Sequence, residues 1–361
     1  MIGSSEYEQI KVRAIQGRYL PPEPVYDFLK TTLNSKALEV AGHSVEQREI
    51  TALKMGSGPI KVLLWSQMHG NESTTTKALL DLIQKCQLNP PKWLEGVELL
   101  LVPVLNPDGA KAYTRFNANH IDLNRDAQRL SQPESQVLRR MFDSFGPHYC
   151  MNLHDQRTIY GIGTPPRSAT LSFLAPAADP ERGFSGSRRK AAGLIGLIAD
   201  DARSEIGIGR YDDTYNIDCV GDTFQRAGIP TLLVEAGHYP GDYEREVTRY
   251  YVYSALCKAL EAIASGPAAF SPLSEYHGIP ENTTPFVDIL VENAHVILPD
   301  LPSGHKLGLQ FEEVLQGEAI QFRPKLIQKG ALSGVWGHRV LDAASRQDLE
   351  QISRLNFFPR L

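Results

Sequence analysis

Short apolar runs alternate with segments of helical periodicity along this chain, and that alternation narrows the possible folds. Residues 60–65 form a nearly continuous apolar run, which is typical of a strand covered on both faces. Apolar residues then recur at helical spacing over 78–86, and further apolar runs follow at 97–104, 148–153 and 229–234. Strands that alternate with helices predict an α/β domain with a largely parallel or mixed sheet.

Polar residues follow four of the predicted strands, each at the point where the strand ends. They are His69 and Glu72 after the first strand, Asn106 to Asp108 after the second, His154 after the third and Glu235 after the fourth. Open α/β sheets bind their ligands at the carboxyl ends of the strands. We therefore expect these side chains to lie together at one edge of the sheet.

His69, Glu72 and His154 have the chemistry of a zinc site. Imidazole nitrogens and carboxylate oxygens are common zinc ligands, and three protein ligands leave a position open for water. Each of these residues taken alone would more often be an ordinary turn or core residue. Together they complete a set of two histidines and one carboxylate, so the sequence predicts one zinc ion per chain, with a bound water whose pKa is about 7.

Glu235 and the polar segment 113–126 supply the other groups that amide hydrolysis needs. A carboxylate at the end of an apolar run is desolvated, which favours a proton-accepting role for Glu235. The alternative is that Glu235 is an ion-paired carboxylate with Arg115 or Arg125 as its partner. Two arginines and an amide within a dozen residues could stabilise a developing oxyanion and hold a free substrate carboxylate.

In their order along the chain, these motifs resemble the zinc carboxypeptidase family. The similar positions are dispersed over residues 45 to 262: His-Gly-Asn-Glu at 69–72, Asn-Pro-Asp-Gly at 106–109, Arg115, Asp-Leu-Asn-Arg at 122–125, His154 and Glu235. The resemblance implies an α/β fold with a mixed, twisted sheet of eight strands. It also implies zinc held by His69, Glu72 and His154, Glu235 as the general base for the zinc-bound water, and Arg115 polarising the scissile carbonyl.

The same resemblance implies that Asn124 and Arg125 hold the terminal carboxylate of a small peptide substrate. Asp126 departs from the family pattern, because an Asn commonly follows the Asn-Arg pair there. The tyrosine that caps the substrate has no firm counterpart; we choose Tyr215, with Tyr211 as the alternative. The predicted function is a zinc metallopeptidase that removes a C-terminal residue from a peptide.

Two other functions are compatible with these residues. The related succinylglutamate desuccinylases and aspartoacylases share the His-Gly-Asn-Glu motif and remove acyl groups from amino acids, and Arg157 after His154 is similar to them. The motif at 106–109 favours the carboxypeptidase function instead. A catalytically inactive binding module on the same fold would mark itself by a lost ligand or base, and none is missing. For a substrate with a second acidic group, we expect Arg157 or Arg167, in a predicted long loop at 156–190, to matter.

The pattern changes around residues 264–267, after which Gly, Pro and short apolar runs predominate. We predict a catalytic domain at 1–268 and a small, mainly β domain at 271–361.

Composition argues against several other classes of protein. The chain of 361 residues is 42% hydrophobic with a formal net charge of −5, which is typical of a globular protein with no nucleic-acid partner. No apolar run reaches membrane-spanning length, and the amino terminus has no apolar stretch typical of a secretion signal. The four cysteines are scattered, so we expect buried free thiols and a cytoplasmic location. The oligomeric state is not predicted.

Overall fold

The computed structural model describes residues 4–33, 37–184 and 186–355, and these residues form two β-sheets with flanking helices. The strands are β1 Leu38–His43, β2 Glu49–Gly56, β3 Ile60–Trp65, β4 Val97–Val102, β5 Tyr149–Asp155, β6 Gly161–Ile162, β7 Arg167–Leu174, β8 Gly207–Arg210, β9 Thr231–Ala236, β10 Phe286–Glu292, β11 Lys306–Gln316, β12 Ala319–Gly330 and β13 Trp336–Asp342. The α-helices are α1 Ser4–Ile10, α2 Pro22–Thr32, α3 Thr74–Leu88, α4 Pro107–Ala112, α5 Pro133–Phe145, α6 Gly186–Ala202, α7 Val220–Arg226, α8 Glu246–Ser265, α9 Leu273–His277 and α10 Arg346–Arg354.

The main sheet is mixed, as predicted. Its strand order is β1-β2-β4-β3-β5-β9-β7-β6, with β8 paired to β7, which makes nine strands over the described residues where the resemblance implied eight. The central strands β4, β3, β5 and β9 run parallel. The pairs β1-β2, β2-β4, β9-β7 and β7-β6 are antiparallel, and β8 is parallel to β7. The parallel centre places the carboxyl ends of four strands at one edge.

Helices cover both faces of this sheet, which explains why the central strands are apolar along their whole length. On β3, Val62 and Leu64 belong to one hydrophobic cluster, while Leu63 and Trp65 belong to another. Successive side chains of a strand point to opposite faces, so both sets are buried. Helices α3, α6 and α8 contribute to the first cluster, and α5 and α7 contribute to the second. Within the described residues, none of the helices is long and apolar enough to cross a membrane.

Residues 106–109 begin helix α4, where the Asn106 side chain accepts a hydrogen bond of 2.9 Å from the Gly109 N–H. Asparagine and proline both favour the start of a helix. The prediction of one long loop at 156–190 was wrong, because this segment contains the buried strand β7.

The second sheet confirms a small, mainly β region at the carboxyl end. Its order is β12-β11-β10-β13, and β10 is parallel to β13. Its own core includes Ile289, Leu309 and Leu341. The preceding helix α9 packs on α6 of the main domain, where Tyr276 is fully buried in the main core. The second sheet therefore starts at β10, and the domain division at 268 and 271 stays a prediction.

All four cysteines are free, as predicted. Cys86, Cys150 and Cys257 are buried, and Cys219 is half-buried. Burial raises the pKa of each of the three buried thiols, so they are protonated and unreactive near neutral pH.

Candidate active site

The parallel strands bring the predicted metal ligands and the predicted base to one edge of the main sheet. His69 and Glu72 lie in the turn between β3 and α3, and His154 lies near the end of β5. Glu235 lies on β9, directly beside His154 in the register of the two strands. The side chains predicted from their positions after strand ends therefore do lie together.

His69, Glu72 and His154 form a compact set of possible metal ligands. His69 Nδ1 is 2.8 Å from Glu72 Oε1, and His154 Nδ1 is 2.8 Å from Glu72 Oε2. The two nitrogens are 3.1 Å apart. All three residues are buried, and their ligand atoms lie within 4.8 Å of one another. The Nε2 of His154 is also buried, without a hydrogen-bond partner among the described residues. Two imidazole nitrogens and a carboxylate fit zinc.

The close contacts between these groups control their protonation. Burial raises the pKa of Glu72, but the two histidines outweigh it, so the pKa is lowered and the carboxylate is ionised. Burial lowers the pKa of His69, but the contacts with Glu72 and Asp122 have the larger effect, so the net shift is upward. The pKa of His154 is lowered because burial dominates there. A bound cation would favour the neutral imidazoles and the ionised carboxylate that metal ligation requires.

The turn that carries His69 and Glu72 is fixed by close backbone packing. A Cβ atom at Gly70 would lie 1.9 Å from the carbonyl carbon of Gly109, so only glycine fits this turn. Asp155, which follows His154, accepts hydrogen bonds from the backbone N–H groups of Thr74 and Thr75 at the start of α3. Its own N–H donates to Glu72 Oε2 at 3.2 Å. These contacts tie the ligand turn to the end of β5.

Asp122 is a site residue to which the sequence analysis assigned no role. Its Oδ1 lies 3.0 Å from His69 Nε2, and its Oδ2 accepts hydrogen bonds from Arg115 Nε at 3.1 Å and Nη2 at 2.9 Å. A carboxylate on the far nitrogen of a ligating histidine fixes the ring and its tautomer. Its place two residues before Asn124 in the Asp-Leu-Asn-Arg motif was the available signal.

Glu235 is not ion-paired. Within the described part of the chain neither Arg115 nor Arg125 forms a salt bridge with it, and its Oε2 is buried without a hydrogen-bond partner. Burial raises the pKa of Glu235 well above its ordinary value, and the nearby charges of Glu72 and Asp155 raise it further. A buried carboxylate with a free oxygen and a raised pKa has the properties of a general base.

Arg115 lies beside the ligand set, as its predicted role requires. Asp122 holds two nitrogens of its guanidinium, and Nη1 is 3.4 Å from Glu72 Oε1. The side chain is 39% exposed, so it retains donors for a substrate oxygen.

Asn124 and Arg125 lie on the same cavity wall. The side-chain Oδ1 of Asn124 accepts a hydrogen bond from the Val220 N–H at 3.0 Å, and Arg125 Nη1 donates to the Asn124 backbone oxygen at 2.7 Å. Asp126 does not line the cavity: its carboxylate accepts hydrogen bonds from the Ser131 and Gln132 backbone N–H groups. The charge of Asp126 therefore holds the loop that follows it, and the substrate-binding role of Asn124 and Arg125 stays a prediction.

The structure separates the two candidate tyrosines. Tyr215 does not line the cavity, and its hydroxyl accepts a hydrogen bond from Arg226 at 3.1 Å. Tyr211 does line the cavity, where burial and then the charge of Glu235 raise its pKa. The geometry therefore favours Tyr211 as the tyrosine that could cap a substrate, against our first choice.

The cavity around these groups has a volume of about 790 Å³ and is built by both sheets. The C-terminal sheet contributes Asp288, Gln310, Phe311, Glu313 and Phe322 to its wall. Arg18 of the main domain forms a salt bridge of 3.2 Å with Glu313. The second sheet is therefore part of the site. Arg157 lines the cavity, whereas Arg167 does not.

Part of this chain matches a known protein family, and the matched range includes the possible metal ligands. Residues 27–158 match the family model described as zinc carboxypeptidase, a range that contains all three members of the ligand set. This part of the chain is similar to the zinc carboxypeptidase family. Carboxypeptidase 2 of Trichophyton tonsurans is 31% identical over 106 residues, which cover 28% of this chain and 20% of that protein. The match thus spans about a fifth of the length of that relative.

Solved structures of the family share the fold. A metallo-carboxypeptidase from Burkholderia cenocepacia is similar with a TM-score of 0.54 and 17% identity, over 67% of this chain and 68% of that one. Carboxypeptidase A from Helicoverpa armigera is similar with a TM-score of 0.52 and 18% identity, over 73% of this chain and 80% of that one. At these identities the likeness shows the mixed sheet flanked by helices.

Proposed function

We propose that this chain is a zinc-dependent metallocarboxypeptidase that removes the C-terminal residue of a small peptide. The observation that carries the proposal is the buried set of His69, Glu72 and His154 beside Glu235, a buried carboxylate with a free oxygen. An inactive binding module is disfavoured, because the ligands and the base are all present and adjacent.

The proposed mechanism follows from the positions of the side chains. A zinc ion on the three ligands would polarise the scissile carbonyl and lower the pKa of its water to about 7. Glu235 takes the proton of the attacking water and returns it to the leaving amine. Arg115, held by Asp122, donates to the oxygen on which negative charge develops. Asn124 and Arg125 bind the free carboxylate and place the terminal amide beside Glu235.

An N-acyl amino acid deacylase of the succinylglutamate desuccinylase and aspartoacylase type is the second candidate. It would use the same ligands and base on a substrate that also bears a free carboxylate. Arg157 and five side chains of the C-terminal sheet line the cavity, which favours a substrate with a specific acyl group. The two candidates differ in the group on the acyl side of the scissile bond.

A panel of substrates distinguishes these functions. Protein of known zinc content is assayed against blocked dipeptides, N-succinyl amino acids and N-acetyl amino acids, with and without a chelator. Chelator-sensitive release of the C-terminal residue from dipeptides supports the carboxypeptidase. Release of succinate or acetate instead supports the deacylase. Failure of the protein to bind zinc at all would overturn both.

A further inference from the structure

We propose that Arg157 selects substrates that carry a second negative charge on the acyl side of the scissile bond. This inference rests on the proposed function, since it assigns a second anion-binding position within the same site. Arg157 lies three residues after His154, is exposed, and lines the cavity. Its guanidinium is held by no hydrogen bond or salt bridge to the residues that the structure describes.

Three carboxylates of the cavity wall already have hydrogen-bond partners within the protein. Asp288 accepts hydrogen bonds from the Tyr243 hydroxyl at 3.0 Å and from the Phe311 N–H at 2.7 Å. Glu313 is paired with Arg18, and Asp155 accepts from the backbone at the start of α3. These three acids are therefore poor partners for Arg157.

The other arginines of the cavity are also engaged, with one exception. Arg115 is paired with Asp122, Arg18 with Glu313, and Arg245 donates to two backbone oxygens. Arg125 donates to the backbone oxygen of Asn124 and, like Arg157, forms no salt bridge with a described carboxylate. Arg245 also lacks a described carboxylate partner, but it is buried, whereas Arg125 and Arg157 are exposed. The cavity thus presents two exposed guanidinium groups without described carboxylate partners, which matches a substrate with two anionic groups.

The residues on each side of Arg157 are anchored, so the backbone from which its side chain extends has a defined position. Gln156 Nε2 donates to the backbone oxygen of Ala169 at 2.7 Å, and the backbone oxygen of Gln156 accepts from Arg245 at 2.8 Å. Thr158 Oγ1 accepts from Gln310 of β11 at 2.6 Å, and the Thr158 backbone oxygen accepts from His338 of β13 at 2.7 Å. The main domain holds one neighbour and the C-terminal sheet holds the other.

Arg125 and Arg157 are supported by different elements of the cavity wall. Arg125 is tied through Asn124 to Val220 at the start of α7, which is the wall assigned to the terminal carboxylate. Arg157 is tied through Thr158 to the C-terminal sheet. With the terminal carboxylate on Arg125, the second cation is available to the acyl side, such as a Glu side chain or a succinyl group.

The test compares two blocked dipeptides that differ only in Glu or Gln before the scissile bond. Arg157→Gln is the test variant, and Arg167→Gln is the matched control, because Arg167 is an exposed arginine of the same segment outside the cavity. Loss of a charge-assisted hydrogen bond is worth about tenfold or more, so we expect the unmodified enzyme to prefer Glu by about tenfold in kcat/KM, mainly through KM. Arg157→Gln should reduce that preference to about twofold or less, while Arg167→Gln retains it.

An unchanged Glu preference in Arg157→Gln, or an equal loss of activity on both peptides, would overturn the inference. Calorimetry with the same peptides on zinc-loaded Glu235→Gln protein separates this result from the proposed function. If no peptide is hydrolysed, the proposed function fails; a Glu preference in binding that disappears on adding Arg157→Gln would still support the second anion position. Equal binding of the two peptides, or no binding, would refute it.

Discussion

Asp122 Oδ1 lies 3.0 Å from His69 Nε2, while the other oxygen of the same carboxylate holds the Arg115 guanidinium. One side chain therefore orients a predicted metal ligand and the predicted oxyanion donor together. Burial raises the pKa of Asp122, but the hydrogen bond from His69 outweighs it and the net shift is downward. The Asp122 carboxylate is therefore ionised at neutral pH and can orient both His69 and Arg115.

Replacement of this carboxylate should weaken zinc binding without removing a ligand. We expect Asp122→Asn to lower zinc affinity by about 10- to 100-fold, because His69 loses the anionic partner that fixes its ring. Competition with a fluorescent chelator measures the affinity. Asp212→Asn is the control, since Asp212 lines the same cavity and bonds only locally to Thr214. Equal zinc affinities of the two variants would contradict the role of Asp122.

Loss of the predicted base should separate catalysis from metal binding. We expect Glu235→Gln to lower kcat by about 100- to 10,000-fold, while the zinc content stays at that of the unmodified protein. Activity and metal content are measured on the same preparation. Glu244→Gln, an exposed glutamate on the following loop, controls for the change in charge. Full activity of Glu235→Gln would show that another group accepts the proton.

The two candidate tyrosines can be distinguished by removing one hydroxyl at a time. Tyr211→Phe should lower kcat/KM by about tenfold, the effect of one lost hydrogen bond to a charged group. Tyr215→Phe should leave kcat/KM within about twofold, because its hydroxyl bonds to an arginine on the exposed surface, where such contacts contribute little. The reverse ranking would restore Tyr215 as the capping residue.

Glu246 predicts a specific dependence of stability on pH. Its Oε1 is 2.6 Å from the Nζ of Lys77, whose side chain is fully buried. Burial raises the pKa of Glu246, but Lys77 and Lys11 outweigh it and lower the pKa to about 2, from an ordinary value of 4.5. Between these two pKa values, the unfolded chain binds more protons at Glu246 than the folded chain does. The contribution of ionised Glu246 to the free energy of unfolding is therefore present above pH 4.5 and is lost as the pH falls toward 2.

Urea denaturation at several pH values measures this effect. At neutral pH we expect Glu246→Gln to lower the free energy of unfolding by about 3 to 5 kcal/mol, because it leaves the buried charge of Lys77 uncompensated. The difference from the unmodified protein should shrink as the pH falls from 4.5 toward 2. A difference that stays constant over this range would show that Glu246 acts by packing and not by charge.

Local patterns in the sequence were sufficient to predict the α/β class and the cluster of possible metal ligands. The run at 60–65 is apolar on both faces because helices cover both sides of β3. Burial on both faces is therefore visible in the sequence as a nearly continuous apolar run. His69, Glu72 and His154 could be predicted because chain direction in a parallel sheet places strand ends at one edge.

Strand β7 shows where local patterns fail. It is buried over Ser168 to Leu174, yet its sequence mixes serine and threonine with apolar residues. Those hydroxyls are satisfied by distant groups: Thr170 Oγ1 donates to the His238 oxygen, and Ser172 Oγ bonds to Asn282. Burial of polar groups becomes favourable only when partners are present, and the partners come from elsewhere in the chain.

The sequence alone thus determined the residue types at the strand ends, the mixed sheet and the family resemblance. Tertiary structure decided which groups Asp122 contacts and which side chains line the cavity. Tyr211, Arg157 and residues of the C-terminal sheet line it, whereas Tyr215 and Arg167 do not. Each of these depends on contacts such as that of Gln310 with Thr158, which are 152 positions apart in the chain. Contacts of this kind are created by the packing of whole elements and leave no periodic signal in the sequence.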